Sequence, residues 1–390
     1  MIPSSRTAGL DTLRAAAIAL VFMYHYMCFV SQEATFGWLS TIGWEGVDLF
    51  FVLSGYLIAN SVFAGLTRSR LLSVRRFYGR RALRTLPVFW LVLAAFLVFP
   101  GELGGRAAPP AWRFLTFTQN WALQPGTAFS HAWSLCVEEQ FYLVLPLIVA
   151  AGVTLARRGE RVGVRHGWAL LAGLFTVGIC ARAMLWFQVD PAHGGDPDRF
   201  MTLIYYSTLC RFDEFVPGIA VAMLKNFHPA AWSRLMRKGR ALLVTGLIGT
   251  IGMMAIEYGA ANAATPGLLT TTFGYSLIAI FFACLVAAAL SPATLLHRLR
   301  VPGAQTVALW SYSLYLSHRP VANLMLGVLR PLSVGELSTV IAITFACLLV
   351  GGALYVGVEA PFMRLRDHWI PSQFEPSVSA TLPSMAAARS

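Results

Sequence analysis

Residues 10–26 read LDTLRAAAIALVFMYHY, and the fold turns on how that stretch is read. It is apolar enough to cross a membrane as a helix, yet it holds Arg14 and His25. At about 100° per residue, the step from 14 to 25 makes three turns plus roughly 20°, so both side chains share one helix face. With a rise of about 1.5 Å per residue they stand about 16 Å apart along the axis. An ionisable group at mid-membrane costs about 2.5–3.5 kcal/mol even on the lenient insertion scale. That face is therefore expected to look onto protein or a polar chamber. The length of the segment, Arg14 within it and the Tyr24-His25-Tyr26 cluster favour a retained helix over a cleaved leader.

The rest of the chain repeats the pattern. It has 390 residues, 57% hydrophobic and 12% charged, with a mean hydropathy of +0.63. Apolar stretches recur at roughly 10–30, 43–63, 85–100, 136–156, 168–187, 203–224, 241–256, 268–290, 306–326 and 338–358. These predict an all-α integral membrane protein with about ten transmembrane helices. With a cytoplasmic N-terminus, 22 Lys and Arg fall on the inner side and 4 on the outer. The positive-inside rule then puts both termini in the cytoplasm. Basic inner loops beside anionic lipid account for most of the +12 charge without a nucleic-acid partner. The six cysteines show no metal-ligand spacing and read as small buried residues. We expect a membrane domain over 1–366 and a Pro/Ser/Ala-rich, disordered tail over 367–390.

Ionisable residues from separate segments fall at similar depth. His25 lies in the outer half of the first helix. Asp48, in GWEGVDLFFVLSGY, sits just inside the outer end of the second, and Glu138 and Glu139, in HAWSLCVEEQFY, at the outer end of the fourth. Arg211, Asp213 and Glu214, in CRFDEFVPG, fall near mid-depth of the sixth; His318 and Arg319, in SYSLYLSHRP, lie past the middle of the ninth. Arg14 points the other way, toward RSRLLSVRRFYGRRALRTLP, where Arg80, Arg81 and Arg84 precede the third span. Arg81 and Arg84 share a helix face. The chain uses 28 Arg against two Lys, and arginine suits bidentate phosphate recognition. An inner phosphate-binding mouth beneath an outer acid–base chamber is the resulting picture. Taken singly, each signal has an ordinary explanation: inside-positive topology, a helix cap, a hydrogen-bonded structural histidine. A proton-coupled transporter would also bury such groups, but the blocks of the first half have no counterparts in the second, as transporter repeats would require.

Together the motifs resemble the acyltransferase 3 family of integral-membrane acyltransferases, over roughly residues 8–366. The blocks come in order: LDTLRAAAIALVFMYH with its Arg-x10-His spacing, GVDLFFVLSGYLI, RRALRTLP with Arg-x-x-Arg, HAWSLCVEEQFYLVLP, RFDEFVPGIAVA, SYSLYLSHRPV and VEAPF. The resemblance implies a ten-helix core, cytoplasmic acyl-CoA (acetyl by default) as co-substrate with no tightly bound cofactor, and transfer to a hydroxyl, usually on a sugar. It marks Arg14 with His25, Arg81 with Arg84, and Trp133, Ser134, Leu135, Glu138 and Glu139 as important for activity. Where many members carry Tyr-Leu-Trp-His-Trp-Pro, this chain has Tyr315-Leu316-Ser317-His318-Arg319-Pro320. A hydrolase-like extension of the kind some O-acetylases carry does not follow, so the expectation is not directed to peptidoglycan or O-antigen in particular.

A hydroxyl must lose its proton as it attacks a thioester, and histidine ionises near working pH. His25 is thus expected to be the general base, oriented by Glu138 or Asp48. Arg14, Arg81 and Arg84 would hold the donor's phosphates, with Trp133, Ser134, Glu139, Arg211 and His318 lining the substrate site and no metal needed. Direct transfer ranks above an acyl-histidine intermediate, and both above a serine nucleophile at Ser54 or Ser134. The expected partners are the bilayer of a bacterial inner membrane, the acyl-CoA donor, and a carbohydrate, glycolipid or glycosylated small-molecule acceptor.

Overall fold

The computed structural model describes residues 7–106, 109–158, 160, 163–189, 195–260 and 266–374. Among them every named element is helical, and eight helices are long and apolar enough to cross a membrane. This is an all-α integral membrane protein. The long helices are α1 (Ala8–Tyr26, extended by a π-helical turn, Met27–Ser31), α2 (Glu45–Leu66), α3 (Val74–Val98), α4 (Trp133–Arg157) and α5 (Val164–Trp186). After α6 (Phe215–Phe227) come α7 (Gly239–Ala260), α8 (Leu268–Leu290), α9 (Ala304–Leu329), α10 (Glu336–Leu354) and α11 (Ala360–Trp369). Side chains such as Leu91, Leu147, Ile248, Leu269 and Phe345 lie on the outer surface, the apolar face that hydrocarbon requires.

Two of the ten expected spans differ from the other eight. The ninth, α9, is 26 residues long, but its serines, tyrosines, His318 and Arg319 keep it out of the apolar set. Its polar middle is buried, because it packs against α1 and α10. The sixth is not one helix. A π-helical turn (Met201–Tyr205), a short helix (Thr208–Arg211) and a 3-10 turn (Phe212–Glu214) precede α6. Three consecutive-turn ions cannot all face inward from a straight helix, and irregular backbone at membrane depth is tolerated when protein surrounds it. Arg182 of α5 donates to both oxygens of Asp213 at 2.7 and 2.8 Å. Arg211 pairs with Asp48 of α2 and, at 2.5 Å, with Glu214.

Glycine sets the closest helix approach. A Cβ on Gly55 of α2 would meet the carbonyl oxygen of Phe215, and one on Gly218 of α6 would meet that of Val52. Small residues let two backbones touch in this way. The arginine-rich stretch before the third span belongs to that helix, since α3 starts at Val74. Helix α11 carries past residue 366 to Trp369, and the chain then lies against α3: Ser73 N–H donates to the Gln373 carbonyl at 3.0 Å, and Leu72 bridges Phe374. The expected tail therefore begins, over 367–374, as packed structure; residues 375–390 lie outside the described residues.

Candidate active site

A cavity of about 400 Å3 opens among α1, α2, α3, α4, α9 and α11. Five guanidinium groups line it: Arg14 from α1, Arg80, Arg81 and Arg84 from α3, and Arg366 from α11. Glu138 is the lining carboxylate, and Ser54, Ser134, Tyr142, Tyr312 and Tyr315 add hydroxyls. Such an excess of cations makes the chamber complementary to a polyanion. The guanidinium of Arg81 lies over the Tyr142 ring, 3.8 Å from its centroid, and its buried Nε has no hydrogen-bond partner among the described residues. Glu138 and Glu139 are near enough to act on that charge. Ser54 donates to Glu138 Oε1 at 2.5 Å and accepts from the Tyr142 hydroxyl at 3.0 Å. Arg80 is held by the Ile370 carbonyl and, at 3.0 Å, by Asp367, so the segment after α10 forms one wall.

Behind this cavity three histidines meet. His25 and His318 stack with ring centroids 4.9 Å apart and planes 8° from parallel, and His25 Nδ1 lies 2.6 Å from His318 Nε2. His318 Nδ1 is 3.1 Å from the Leu314 carbonyl, which can only accept. With both rings neutral, His318 Nδ1 carries its proton and Nε2 is the acceptor. His25 then donates through Nδ1–H, and its Nε2 is left with a bare lone pair. His131 stands edge-on to both rings, at 6.2 and 5.5 Å. Its Nε2 donates to the Leu316 carbonyl at 3.2 Å, and its buried Nδ1 has no partner among the described residues. The wall between cavity and histidines is a hydrogen-bonded pair. The Tyr315 hydroxyl donates to the His131 carbonyl at 2.7 Å and accepts from Ser134 at 2.6 Å, while its ring lies 5.9 Å from that of His318.

The structure gathers Arg14, Arg81, Arg84, Ser134 and Glu138 around one chamber, and sets His25 with His318 behind its wall. The carboxylate expected to orient His25 is instead a second imidazole. Both acids are drawn elsewhere: Glu138 to Ser54, and Asp48, wholly buried, to Arg211. Asp48 and Arg211 thus form a structural clasp away from the cavity lining. Trp133 is buried among Phe51, Tyr205 and Tyr206 beside that clasp, and Glu139 lies near Arg81 without lining the chamber. Arg319, where many members have tryptophan, donates to Ser130 Oγ and the Gly104 carbonyl, both at 2.7 Å. Among the described residues, no three His, Cys, Asp or Glu side chains are set to hold a metal ion. His131 and the hydroxyls of Tyr142 and Tyr315 were not singled out in the sequence. For His131 the signal was present, a further histidine beside the Trp133–Glu139 block.

An acyltransferase-domain family profile matches residues 7–356 of the chain. YrhL of Bacillus subtilis strain 168 is 28% identical over 329 residues, 80% of this chain and 48% of that protein. The peptidoglycan O-acetyltransferase OatA of Listeria monocytogenes is 25% identical over 338 residues, 83% of this chain and 50% of its own. The O-acetyltransferase OatA of Staphylococcus aureus strain NCTC 8325 is 27% identical over 331 residues, 80% of this chain and 50% of its own. The chain spans about half the length of these relatives, and no solved structure matches it. The profile covers nearly the whole bundle, including the paired histidines and every arginine of the cavity but Arg366: the chain belongs to the acyltransferase 3 family.

Proposed function

We propose that the protein is a membrane O-acyltransferase that moves an acyl group, acetyl by default, from cytoplasmic acyl-CoA to a hydroxyl of a carbohydrate or glycosylated acceptor. The observation that carries this is a five-arginine chamber separated by one hydrogen-bonded wall from a histidine with a free lone pair. The donor's phosphates and ribose fill the chamber against Arg14, Arg81 and Arg84, with both chain termini in the cytoplasm of a bacterial inner membrane. Its thin pantetheine arm passes the Ser134–Tyr315 pair toward His25. There Nε2 takes the proton of the acceptor hydroxyl as its oxygen attacks the thioester carbonyl. The tetrahedral intermediate collapses, the C–S bond breaks, and the CoA sulfur leaves with the proton that His25 returns. His318 accepts from Nδ1–H throughout and stabilises the imidazolium while it exists, the orienting role of a triad's third member. Relatives named as O-acetyltransferases support the reaction class.

A second reading has one observation in its favour. Ser54, inside the chamber and bonded to Glu138 at 2.5 Å, has the geometry of a nucleophile beside a base, and would carry the acyl group as an ester before transfer. The test is reconstitution of parent, His25→Ala and Ser54→Ala proteins in lipid nanodiscs with radiolabelled acetyl-CoA and a glycan acceptor. Alkali-labile label should appear on the acceptor with parent and Ser54→Ala, and not with His25→Ala. Loss with Ser54→Ala alone transfers the chemistry to serine; no labelled product from the parent with any acceptor defeats the acyltransferase reading and favours proton-coupled transport.

A further inference from the structure

A second cavity reaches the turn of α1 that carries His25, through Tyr24, with no histidine in its lining. It encloses about 240 Å3 and is lined by Tyr24, Trp44, Tyr205, Tyr275, Thr271 and Glu257 among others. Tyr24 is the residue before His25, and the two rings are 5.6 Å apart. Helix α1 thus contributes Arg14 to the first cavity and Tyr24 to the second, about 15 Å further along its axis. The lining also draws on Thr41, Phe200 and Pro266, from the connections that precede α2, α6 and α8. Those connections alternate with the ones that bring Arg80 and Arg366 to the first cavity, so the two chambers open toward opposite ends of the bundle.

The chemistry of this chamber is unlike that of the first. Trp44 meets Tyr275 and Tyr205 edge-on, at 5.6 and 6.0 Å. Arg211 braces both tyrosines from behind, 4.2 and 5.0 Å from their ring centroids. The Asp48–Arg211–Glu214 clasp is thereby the frame of an aromatic wall. Glu257 has no hydrogen bond or ion pair among the described residues. Glu45, next to Trp44, is wholly buried with neither carboxylate oxygen hydrogen-bonded there, and lies close enough to Glu257 for their charges to interact. Unspent acceptors at this depth are costly unless something supplies donors. Flat aromatic faces beside carboxylates and threonine hydroxyls suit a sugar ring, which offers one apolar face of C–H groups and a rim of O–H donors.

We propose that this second cavity seats one pyranose ring of the acceptor, with Trp44 and Tyr275 against its face and Glu257 accepting from its hydroxyls. The assignment rests on the acyltransferase reading above and adds where the acceptor binds. A volume of 240 Å3 lies below that of a drug-sized site, so it admits one ring, and the rest of a glycan stays outside. A hydroxyl of the seated ring then faces His25 past Tyr24, while the acyl group arrives from the opposite chamber.

The test is saturation-transfer difference NMR on the purified full chain with glucose, N-acetylglucosamine and N-acetylmuramic acid as probes. Parent, Trp44→Ala, Trp44→Phe and Glu257→Ala proteins are compared. A rise in melting temperature with CoA reports that each variant is folded and its first cavity intact. Trp44→Ala and Glu257→Ala should weaken sugar binding by about tenfold or more, the loss of one stacked face or one charged acceptor; Trp44→Phe should retain most of it. Sugar binding equal to the parent's in all three variants, with ester still formed by the parent, overturns the cavity assignment and leaves the acyltransferase reading standing. A parent that forms no ester with any acceptor overturns that reading, and the assignment with it.

Discussion

Replacing His318 by alanine removes the acceptor 2.6 Å from His25 Nδ1 while leaving the arginine cavity untouched, because His318 does not line it. In the ground state His25 loses one neutral hydrogen bond. In the transition state of the proposed mechanism it is an imidazolium, and a hydrogen bond to a charged group is worth about 1.5–3 kcal/mol. Less about 0.5–1.5 kcal/mol for the neutral bond lost in the ground state, about 1–1.5 kcal/mol remains, so at 1.4 kcal/mol per factor of ten kcat should fall about 5- to 12-fold, with KM for acyl-CoA unchanged. His25→Ala removes the proposed base and should cost roughly the 10²–10⁴-fold typical of general base catalysis. His318→Gln restores an acceptor oxygen near Nδ1 and should return kcat to within about threefold of the parent. The assay is initial-rate acyl transfer in nanodiscs, varying donor and acceptor separately. A His318→Ala kcat within about twofold of the parent would refute the tautomer argument. A deficit deeper than that of His25→Ala would make His318 the base.

The remaining expectations concern the chamber and the frame. Arg81→Ala and Arg84→Ala should each raise KM for acyl-CoA about 10- to 150-fold with little change in kcat, the loss of charge-assisted phosphate contacts; Arg81→Lys should recover only part, since an ammonium lacks the guanidinium fork, and an unchanged donor titration would remove these residues from the phosphate site. Asp213→Asn strands Arg182, which is fully buried, and breaking a buried pair costs about 3–5 kcal/mol. Its thermal midpoint by fluorescence-detected size exclusion should drop sharply, and Arg182→Met with Asp213→Leu should recover most of the loss. Gly55→Val forces a branched side chain onto the Phe215 carbonyl and should lower the yield of monodisperse protein, whereas Gly327→Ala, with open space at its Cβ, should not.

Periodicity and hydropathy were enough to place the long helices, because lipid admits only helices with an apolar surface. Spacing and depth also grouped Arg14 with Arg81 and Arg84, whereas Ser134 was marked only by the family resemblance and Glu138, expected in a separate outer chamber, lines the same cavity as the arginines. What spacing does not carry is the azimuth of one helix relative to another. Hence the partner of His25 was sought among carboxylates, the usual orienters, when α9 turns His318 toward it. The same limit hid the fate of Asp48: an arginine from the sixth segment was nearer than any histidine, and a buried acid goes to the closest guanidinium. The break in that sixth segment was signalled by its own residues. Arg211, Asp213 and Glu214 cannot share one face of an uninterrupted helix. Glu45, in the same GWEGVDLFF block as Asp48, went unremarked for want of any visible partner, which is the property that gives it interest in the fold.

Helix α1 has a consequence beyond the positions it supplies. It is a rod with Arg14 in one chamber and, near its other end, Tyr24 in the second with His25 on the next position, and it packs along both α9 and α2. Because both cavities borrow a side chain from this one helix, a shift of α1 against its neighbours would alter both linings together. Any two ligands held in the two cavities would then be linked, and linkage is reciprocal: whatever factor one applies to the affinity for the other, the other returns.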